Sequence, residues 1–465
     1  MVLLRQELVI TCMIFLLLFI KIGSKERSNE SLMVFINILL FLNFIYGFWC
    51  NSEGSLFSNM FKTSKLVVLE KNILNLATLI ISLQSWVWLK THKHLLEFYM
   101  LLLSTLLGMF FMISSGNLLM FYLGLELSTI PLAAMVNFDL EKRQSSEAAM
   151  KLIISSAFSS ALLLFGISLL YGTTGTIDFT EIPQHLTGSQ LQIFSFILLF
   201  AGFAFKISVV PFHFWTADVY EGAPVAVTSY LSVVSKAAVL FVLLPFLYSV
   251  FKPFAGTWYN ILVLLSITTI IIGNLFAIRQ NNLKRLLAFS SISQVGFILI
   301  GISGSSQPGM ASAIYFILIY AFSNLGAFGV ISLVSATTGK ETITDYKGFY
   351  KTNPLLSWVL TIALFSLAGV PPTAGFFGKF FLLLAGAGKG NYVLITIAAL
   401  NMVVSFYYYL RIVKAIFMDE NSTPISRINV PITIKIAFFL CIAGILFIGI
   451  FSTVYQYINS LCAGF

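Results

Sequence analysis

Residues 193–215 read IFSFILLFAGFAFKISVVPFHFW, an apolar run long enough to cross a bilayer, with a lysine, Lys206, in its middle. Pro211 follows five residues later and is expected to break a helix, because proline removes a backbone hydrogen bond and clashes with the preceding turn. A charged side chain at the centre of a membrane helix costs about 2.5–3.5 kcal/mol on insertion scales. A chain that keeps such a residue is therefore expected to use it.

The rest of the chain has the composition of a polytopic membrane protein. Of its 465 residues, 58% are hydrophobic and only 10% are charged, which excludes an ordinary soluble domain. Since a spanning helix needs roughly 20 mainly apolar residues, we predict an all-α fold with about fourteen transmembrane helices. The predicted spans lie near residues 6–23, 31–50, 72–89, 95–113, 116–137, 148–171, 190–214, 225–250, 258–278, 286–303, 310–336, 355–380, 391–417 and 432–457.

Basic residues in the loops predict the orientation. With the amino terminus outside, the inner loops hold sixteen Lys and Arg residues, among them Lys25 and Arg27. The outer loops then hold six, among them Lys65 and Lys71. Because Lys and Arg concentrate in inner loops, we expect both termini outside. The net charge of +9 thus marks topology and does not indicate nucleic-acid binding.

The chain lacks the patterns that hold metals or nucleotides. Its cysteines, Cys12, Cys50, Cys441 and Cys462, have no C-x-x-C spacing, and its histidines form no H-E-x-x-H motif. The sequence GAGKG at 386–390 lacks the Ser/Thr and the preceding strand of a phosphate-binding loop. We therefore expect no redox cofactor, metal or nucleotide in this chain.

A small set of charged residues lies within the predicted spans. Glu126, Lys206, Lys236 and Lys379 lie deep in four of them, and Lys151 lies near the start of another. A low dielectric disfavours a charged group, whereas a nearby opposite charge favours it. A lysine whose carboxylate partner comes and goes can therefore bind and release a proton. The alternatives are a structural ion pair for Glu126 and snorkelling to the interface for Lys151.

Two spans contain prolines near these lysines. Pro211 follows Lys206, and Pro371 and Pro372 precede Lys379. Transporters use discontinuous helices to place ion sites near the membrane midplane, although a packing kink is the simpler explanation for any single proline. The V-P sequences at 210–211 and 370–371 occur five spans apart. If they mark two copies of an internal repeat, an odd number of spans between them would give the second copy the opposite orientation in the membrane.

Further polar residues lie close to these breaks. His213 is a candidate proton relay or a hydrogen-bonding residue at a helix end, since imidazole titrates near neutral pH. Ser290, Ser291, Ser293 and Gln294 form a polar face in a later span, where they could hold water between charged groups.

Several motifs resemble the antiporter-like membrane subunits of bacterial complex I, the proton-pumping NADH:quinone oxidoreductase. The motifs are FKISVVPFHFWTADVYEGAP at 205–224, LSVVSKAA at 231–238, QNNLKRLLA at 280–288 and GVPPTAGFFGK at 369–379. The resemblance covers nearly the whole chain from about residue 95. The V-Y-E-G-A-P and V-S-K-A sequences favour the subunit N branch over the sister subunits M and L.

The resemblance implies fourteen helices with two inverted five-helix repeats, each with one broken helix. It implies a proton path along the midplane through Glu126, Lys206, Lys236 and Lys379, with Lys151 as an additional lysine. In the segment S-S-I-x-H a histidine is usual, but Gln294 stands there. Because an amide does not carry a proton, the central link could run through water.

The same resemblance implies the partners and the organisation. NAD, FMN, iron–sulfur clusters and quinone are expected in partner subunits of complex I, and the chain is expected in the bacterial inner membrane. We expect an N-terminal three-helix segment (1–94), two repeats (95–250 and 251–418) and a C-terminal helix (419–465). The alternatives are a cation/proton antiporter subunit or hydrogenase-linked relative, and a structural subunit whose charges only join helices.

Overall fold

The structure is a computed structural model that describes residues 2–23, 28–49, 53–421 and 423–463. Lys25 and Arg27, which enter the loop-charge count, and Cys50 lie outside these ranges. Twelve helices in the described part are long and apolar enough to cross a membrane. Three shorter apolar helices, Gln190–Lys206, Pro354–Ala368 and Ala374–Ala387, accompany them, and the predicted all-α fold of a polytopic membrane protein is confirmed.

The first part of the chain forms a helical bundle with a small hairpin on one end. Its elements are a 3₁₀ turn (Val2–Leu4), α1 (Arg5–Ile22), α2 (Asn29–Trp49), β1 (Gly54–Leu56), β2 (Phe61–Thr63), α3 (Lys65–Gln84), α4 (Trp86–Lys90), α5 (Leu95–Ile113), α6 (Leu118–Val136), α7 (Arg143–Thr174), α8 (Ile182–His185), α9 (Gln190–Lys206) and α10 (Phe214–Gly222). The hairpin strands are antiparallel, with Ser55 opposite Lys62.

The second part, from Val225 onward, again consists of helices of different lengths joined by short turns. Its elements are α11 (Val225–Tyr230), a π-helical turn (Leu231–Ser235), α12 (Lys236–Pro245), a second π-helical turn (Phe246–Val250), a 3₁₀ turn (Lys252–Phe254), α13 (Ala255–Ile278), α14 (Leu283–Ser303), α15 (Gln307–Thr338), a 3₁₀ turn (Ile343–Tyr346), α16 (Phe349–Thr352), α17 (Pro354–Ala368), α18 (Ala374–Ala387), α19 (Tyr392–Phe417), α20 (Ile432–Ile450) and α21 (Thr453–Leu461).

The predicted positions of two spans are wrong. The third helix begins at Lys65, where Ser64 caps it by accepting a hydrogen bond from the Val67 amide. Lys65 and Lys71 therefore lie in α3 and not in a loop, because the charged side chains near its start are accommodated by the bundle. The last span is divided between α20 and α21.

Three helices form the interior of the bundle. In an apolar stretch of 18 residues from each helix, 100% of the residues are buried in α14 and 94% in α15. The value is 83% for the continuous helix from α11 to the second π-helical turn. The corresponding value for α19 is 28%. The central helices therefore contact protein on every side, while helices such as α19 leave apolar side chains exposed, as expected for contact with lipid or a partner.

Both broken helices end in the same backbone arrangement. At the end of α9, the Val209 amide donates to the Ala204 carbonyl, and Ser208 has a φ of +65°. At the end of α17, the Val370 amide donates to the Phe365 carbonyl, and Gly369 has a φ of +87°. These are C-terminal caps in which one residue adopts the left-handed conformation.

The prolines of the two breaks follow these caps at the same distance. Pro211 lies three residues after Ser208, and Pro372 lies three residues after Gly369. Pro211 therefore corresponds in position to Pro372. An alignment of the two V-P sequences would instead pair Pro211 with Pro371. The Val210–Pro211 and Pro371–Pro372 bonds are both cis.

Close backbone contact between α5 and α6 depends on glycine. A Cβ atom at Gly108 would lie 2.5 Å from the Ser128 backbone nitrogen, and one at Gly124 would lie 2.6 Å from the Met112 nitrogen. Small residues allow membrane helices to approach in this way. The contact fixes the position of α6, which carries Glu126.

We expect Gly108→Ala to destabilise the protein, because its methyl group would push α6 away from α5 at a cost of about 1–3 kcal/mol. The measurement is the midpoint of thermal unfolding in mild detergent. Gly172→Ala is the matched control, since a Cβ there has no atom within 4 Å. Equal midpoints for the two variants would contradict the proposed role of the α5–α6 contact.

Candidate functional site

Glu126 lies in α6, two turns after the helix begins at the Asn117 cap. Its Oε1 atom is buried and has no hydrogen-bond partner among the described residues. Lys206 is close enough to interact with it electrostatically, but no ion pair within 4.0 Å joins them in the described structure. The carboxylate is therefore near the lysine without being bound to it.

Lys206 is the last residue of α9, at the edge of the first break. Its ammonium donates hydrogen bonds of 2.8 Å to the hydroxyls of Thr129 on α6 and Ser156 on α7. Thr129 is one turn after Glu126 on the same helix. The lysine thus joins three helices through neutral oxygens, where the sequence suggested a direct carboxylate partner.

Lys236 lies at the start of α12, immediately after the first π-helical turn, and only 2% of the residue is exposed. Its ammonium donates a 2.8 Å hydrogen bond to the Ser291 hydroxyl on α14 and lies over the Tyr220 ring, 5.4 Å from the centroid. A ring face attracts a cation through its quadrupole. The polar face predicted on α14 therefore provides the oxygen that holds Lys236.

The π-helical turn beside Lys236 joins a hydrogen-bonded group that the sequence did not reveal. The Ser232 hydroxyl lies 2.9 Å from the Tyr320 hydroxyl, and Asn324 donates to both of them. Tyr320 and Asn324 are in α15, whose apolar pattern hides them. Their spacing of four residues, on one helix face, was the available signal.

Lys379 is fully buried in α18, after the second break. Its ammonium donates to the carbonyl oxygens of Leu367 at 2.8 Å and Ala368 at 3.1 Å, and it lies 5.0 Å from the Phe297 ring centroid. These carbonyls belong to the last turn of α17, where no following helical turn uses them. The break therefore produces the acceptors that hold the lysine.

Gln294 connects this site to a tyrosine on α19. Its amide nitrogen donates to the Leu367 carbonyl at 3.0 Å and to the Tyr409 hydroxyl at 3.3 Å, and Tyr409 also hydrogen-bonds Ser290. The same carbonyl thus accepts from Gln294 and from Lys379. Sequence reasoning missed Tyr409, although three consecutive tyrosines in a membrane helix were a signal.

Lys151 belongs to a different environment. Its side chain is 42% exposed and forms ion pairs with Glu147 at 2.9 Å and with Asp218 at 2.7 Å. Asp218 also binds Arg285 at 2.8 Å, and Arg285 binds Glu221 at 2.7 Å. This network joins α7, α10 and α14, and two of its three acidic members, Asp218 and Glu221, lie in the T-A-D-V-Y-E-G segment.

A polar crevice lies at the loop end of α11 and α14, among residues that include Asp139, Lys142, Glu221, Lys284 and Glu341. The Lys284 ammonium lies 3.1 Å from the Glu341 carboxylate. The crevice also reaches Val225 and Ala226, the first residues of the helix that leads to Lys236.

His213 caps the start of α10 and is 6% exposed. Its Nδ1 atom has no hydrogen-bond partner among the described residues, and its ring lies 4.6 Å from that of Phe214. Within the described residues there is also no group of three or more His, Cys, Asp or Glu side chains suited to a metal ion.

A bundle of membrane-length helices in which neutral oxygens hold three lysines, two of them beside interrupted helices, has the architecture of an ion-translocating membrane protein. Residues 115–405 match the family described as NADH:quinone oxidoreductase/Mrp antiporter, TM. The chain belongs to this family.

Individual relatives are similar over nearly the full length. NADH-quinone oxidoreductase subunit N of Phocaeicola vulgatus is 46% identical, over 98% of this chain and 97% of the relative. The protein of the same name from Azobacteroides pseudotrichonymphae is 47% identical, over 88% and 87%. A chain of respiratory complex I from Thermus thermophilus with bound aureothin has a TM-score of 0.81 and 27% identity, with 97% of both chains covered.

We expect Tyr409→Phe to reduce proton translocation while the protein still assembles, because the change removes only the hydroxyl that Gln294 and Ser290 contact. Proton uptake should be measured in proteoliposomes at equal rates of electron transfer. Tyr407→Phe is the matched control, since that side chain is 59% exposed. Equal loss in both variants would exclude a specific role for Tyr409.

Proposed function

We propose that this chain is a proton-translocating membrane subunit of complex I, and that Glu126, Lys206, Lys236 and Lys379 carry its protons. Electron transfer from NADH to quinone in partner subunits supplies the energy. The observation that carries this proposal is that each of the three lysines has only neutral hydrogen-bond acceptors within the described structure.

The contrast with other buried lysines explains why these partners matter. Lys71 and Lys284 are each bound directly to a carboxylate, so each ammonium has a countercharge beside it. An ammonium at membrane depth without a bound countercharge is stabilised only by dipoles, so its charge state responds to changes nearby. The lysines of the proposed path are therefore the groups whose protonation can change during turnover.

Glu126 is the proposed input of the coupling. Quinone reduction in partner subunits changes the electrostatics or hydration near Glu126, and this alters the proton affinity of Lys206. Lys206 then releases its proton towards Lys236. The two residues interact electrostatically without direct contact, so a change of charge or hydration at one affects the other.

From Lys236, the proposed path follows α14 past Ser291, and then Ser290, Tyr409 and Gln294 lead to Lys379. Gln294 donates hydrogen bonds but does not titrate. Tyr409 and water together therefore take the role that the usual histidine would have.

The prolines serve the path by interrupting the helices. Pro211, Pro371 and Pro372 lie in the two non-helical segments, where the backbone cannot complete its own hydrogen bonds. At Lys379, the resulting free carbonyls bind the ammonium directly. Non-helical backbone at membrane depth requires such a polar environment.

We assign the two remaining candidates supporting roles. Lys151 fixes α10 through Asp218 and so controls the geometry of the first break. His213 occupies the N-cap position of α10 without a side-chain capping bond, and its buried Nδ1 atom, which has no partner in the described structure, is placed to exchange a proton at the break.

The proposed organisation is the one predicted from the sequence, with repeats at 95–250 and 251–418. Several local features support this pairing. The helices α7 and α15 both contain 32 residues and end at a left-handed glycine. Asn117 and Asn282 cap corresponding helices, and each forms an isolated bridge to the segment after the following long helix, at Asp178 and Thr342.

The electron-transfer cofactors belong to other subunits in this proposal. NAD, FMN, iron–sulfur clusters and quinone bind to the partners, and this chain contributes only the proton path. The partners include neighbouring antiporter-like and small membrane subunits, and the chain resides in the bacterial inner membrane.

We expect Lys206→Ala to allow assembly but to abolish most NADH-driven proton pumping, because it removes the link between Glu126 and Lys236. The complex should be purified through a tag on this chain, and its inhibitor-sensitive NADH:quinone reductase activity and pumping measured. Lys389→Ala, at an exposed loop position, is the control. Normal pumping by Lys206→Ala, or a tagged chain without co-purifying reductase activity, would refute the proposal.

We also expect both termini on the outer side. A cysteine at Val2 should react with a membrane-impermeant thiol reagent added to intact cells, whereas one at Lys340 should react only after permeabilisation. The variants should carry Cys12→Ser, since Cys12 is exposed. The opposite labelling pattern would invert the proposed topology.

A further inference from the structure

A second group of buried charges lies away from the proposed path, among the first three helices. Glu7 on α1 and Lys71 on α3 form an ion pair of 2.5 Å, with side chains that are 2% and 1% exposed. Glu70, the neighbour of Lys71, is 3% exposed. The sequence pattern places all three at helix edges, but the structure buries them inside the bundle.

One ammonium serves two carboxyl groups in this cluster. Lys71 binds one oxygen of Glu7 and interacts electrostatically with Glu70. The Glu70 Oε1 and Glu7 Oε2 atoms are buried and have no hydrogen-bond partner in the described part of the chain. Such atoms require a proton or water, because an unsatisfied carboxylate oxygen in a low dielectric is costly.

A buried polar stripe extends from this cluster along α3. Lys71, Asn75, Thr78 and Ser82 occur at intervals of four, three and four residues, so they share one helix face. Each of the four is at most 1% exposed. The stripe covers about 16 Å at 1.5 Å per residue, which is more than half of the hydrocarbon thickness.

Side chains from neighbouring helices complete this stripe. Asn43 donates to Asn75 at 3.4 Å, and Ser82 donates to Asn37 at 2.6 Å. Asn43 Oδ1 and Asn37 Nδ2 are again buried without a partner in the described structure. The orphan atoms of Glu7, Asn43 and Asn37 therefore lie on side chains that pack against this face of α3, and Glu70 lies beside its first residue, a pattern suited to ordered water molecules.

The stripe reaches the helix that carries Lys236. The Tyr230 hydroxyl lies near Thr78, whose own hydroxyl donates to the Leu74 carbonyl, and it accepts a 2.8 Å hydrogen bond from Thr105. Tyr230 is the last residue of α11, six residues before Lys236. The polar groups of the first three helices are thus continuous with the central helix.

We propose that Glu7, Glu70 and Lys71 form a second proton-binding site, and that the polar face of α3 is a hydrated branch joining it to Tyr230. A proton bound to a Glu70 carboxyl oxygen passes to a water oxygen on this face, and the carboxylate left behind is stabilised by Lys71. The link onwards to Lys236 depends on the proposed path, but proton binding at Glu70 does not.

The test compares Glu70→Gln with Glu53→Gln, an exposed carboxylate near the hairpin at the same end of the bundle. In the purified complex, we expect Glu70→Gln to retain uncoupled reductase activity but to lower pumping per electron about twofold or more. Infrared difference spectra should lose a deuterium-sensitive carboxyl C=O band in Glu70→Gln and not in Glu53→Gln. Wild-type pumping with no lost band would overturn the proposal.

A double variant separates this role from simple helix joining. Replacing a buried ion pair with a neutral pair is often tolerated, whereas removing one partner is not. Glu7→Gln combined with Lys71→Met should therefore assemble, even if a single variant does not. We expect it to pump less per electron than the wild type; full pumping would show that the ion pair only holds α1 against α3. Lys206→Ala tests the main path separately.

Discussion

The structure depends on holding ammonium groups at membrane depth with neutral oxygens. Lys236 and Lys379 are buried, and hydroxyls and backbone carbonyls are their hydrogen-bond acceptors. Lipid cannot supply such oxygens, so surrounding helices must do so. This explains why α14 and α15 are enclosed by protein, and why α17 ends at Ala368, where the Leu367 and Ala368 carbonyls are free to bind Lys379.

The sequence predicted the number of spans and the residues at their centres, because long apolar runs and isolated deep charges are strong signals. It failed where charges are paired inside the bundle. Glu7 and Lys71 form an ion pair between α1 and α3, so α3 extends into a stretch whose charged residues resemble a polar loop in the sequence. A hydropathy scale assigns a cost to each charged residue separately, so it does not detect an ion-pair partner that is 64 residues away in the chain.

The contacts of the site were harder to predict than its members. Lys206 was expected to meet a carboxylate, but the packing of α6 and α7 brings Thr129 and Ser156 to its ammonium. Tyr409 escaped notice because tyrosines in an apolar helix look like packing residues. In both cases the partner is chosen by how helices cross, which depends on small residues such as Gly108 and leaves no periodic pattern.

The two π-helical turns on either side of α12 have a mechanical consequence. Each turn holds one residue more than an α-helical path of the same length would need. If one turn tightened as the other widened, α12 would advance by one residue, turning about 100° and sliding about 1.5 Å. Both ends of the long helix would stay in place. Lys236, the first residue of α12, would then face a different neighbour. The two π-helical turns therefore allow this lysine to be reoriented by rotation of α12 alone.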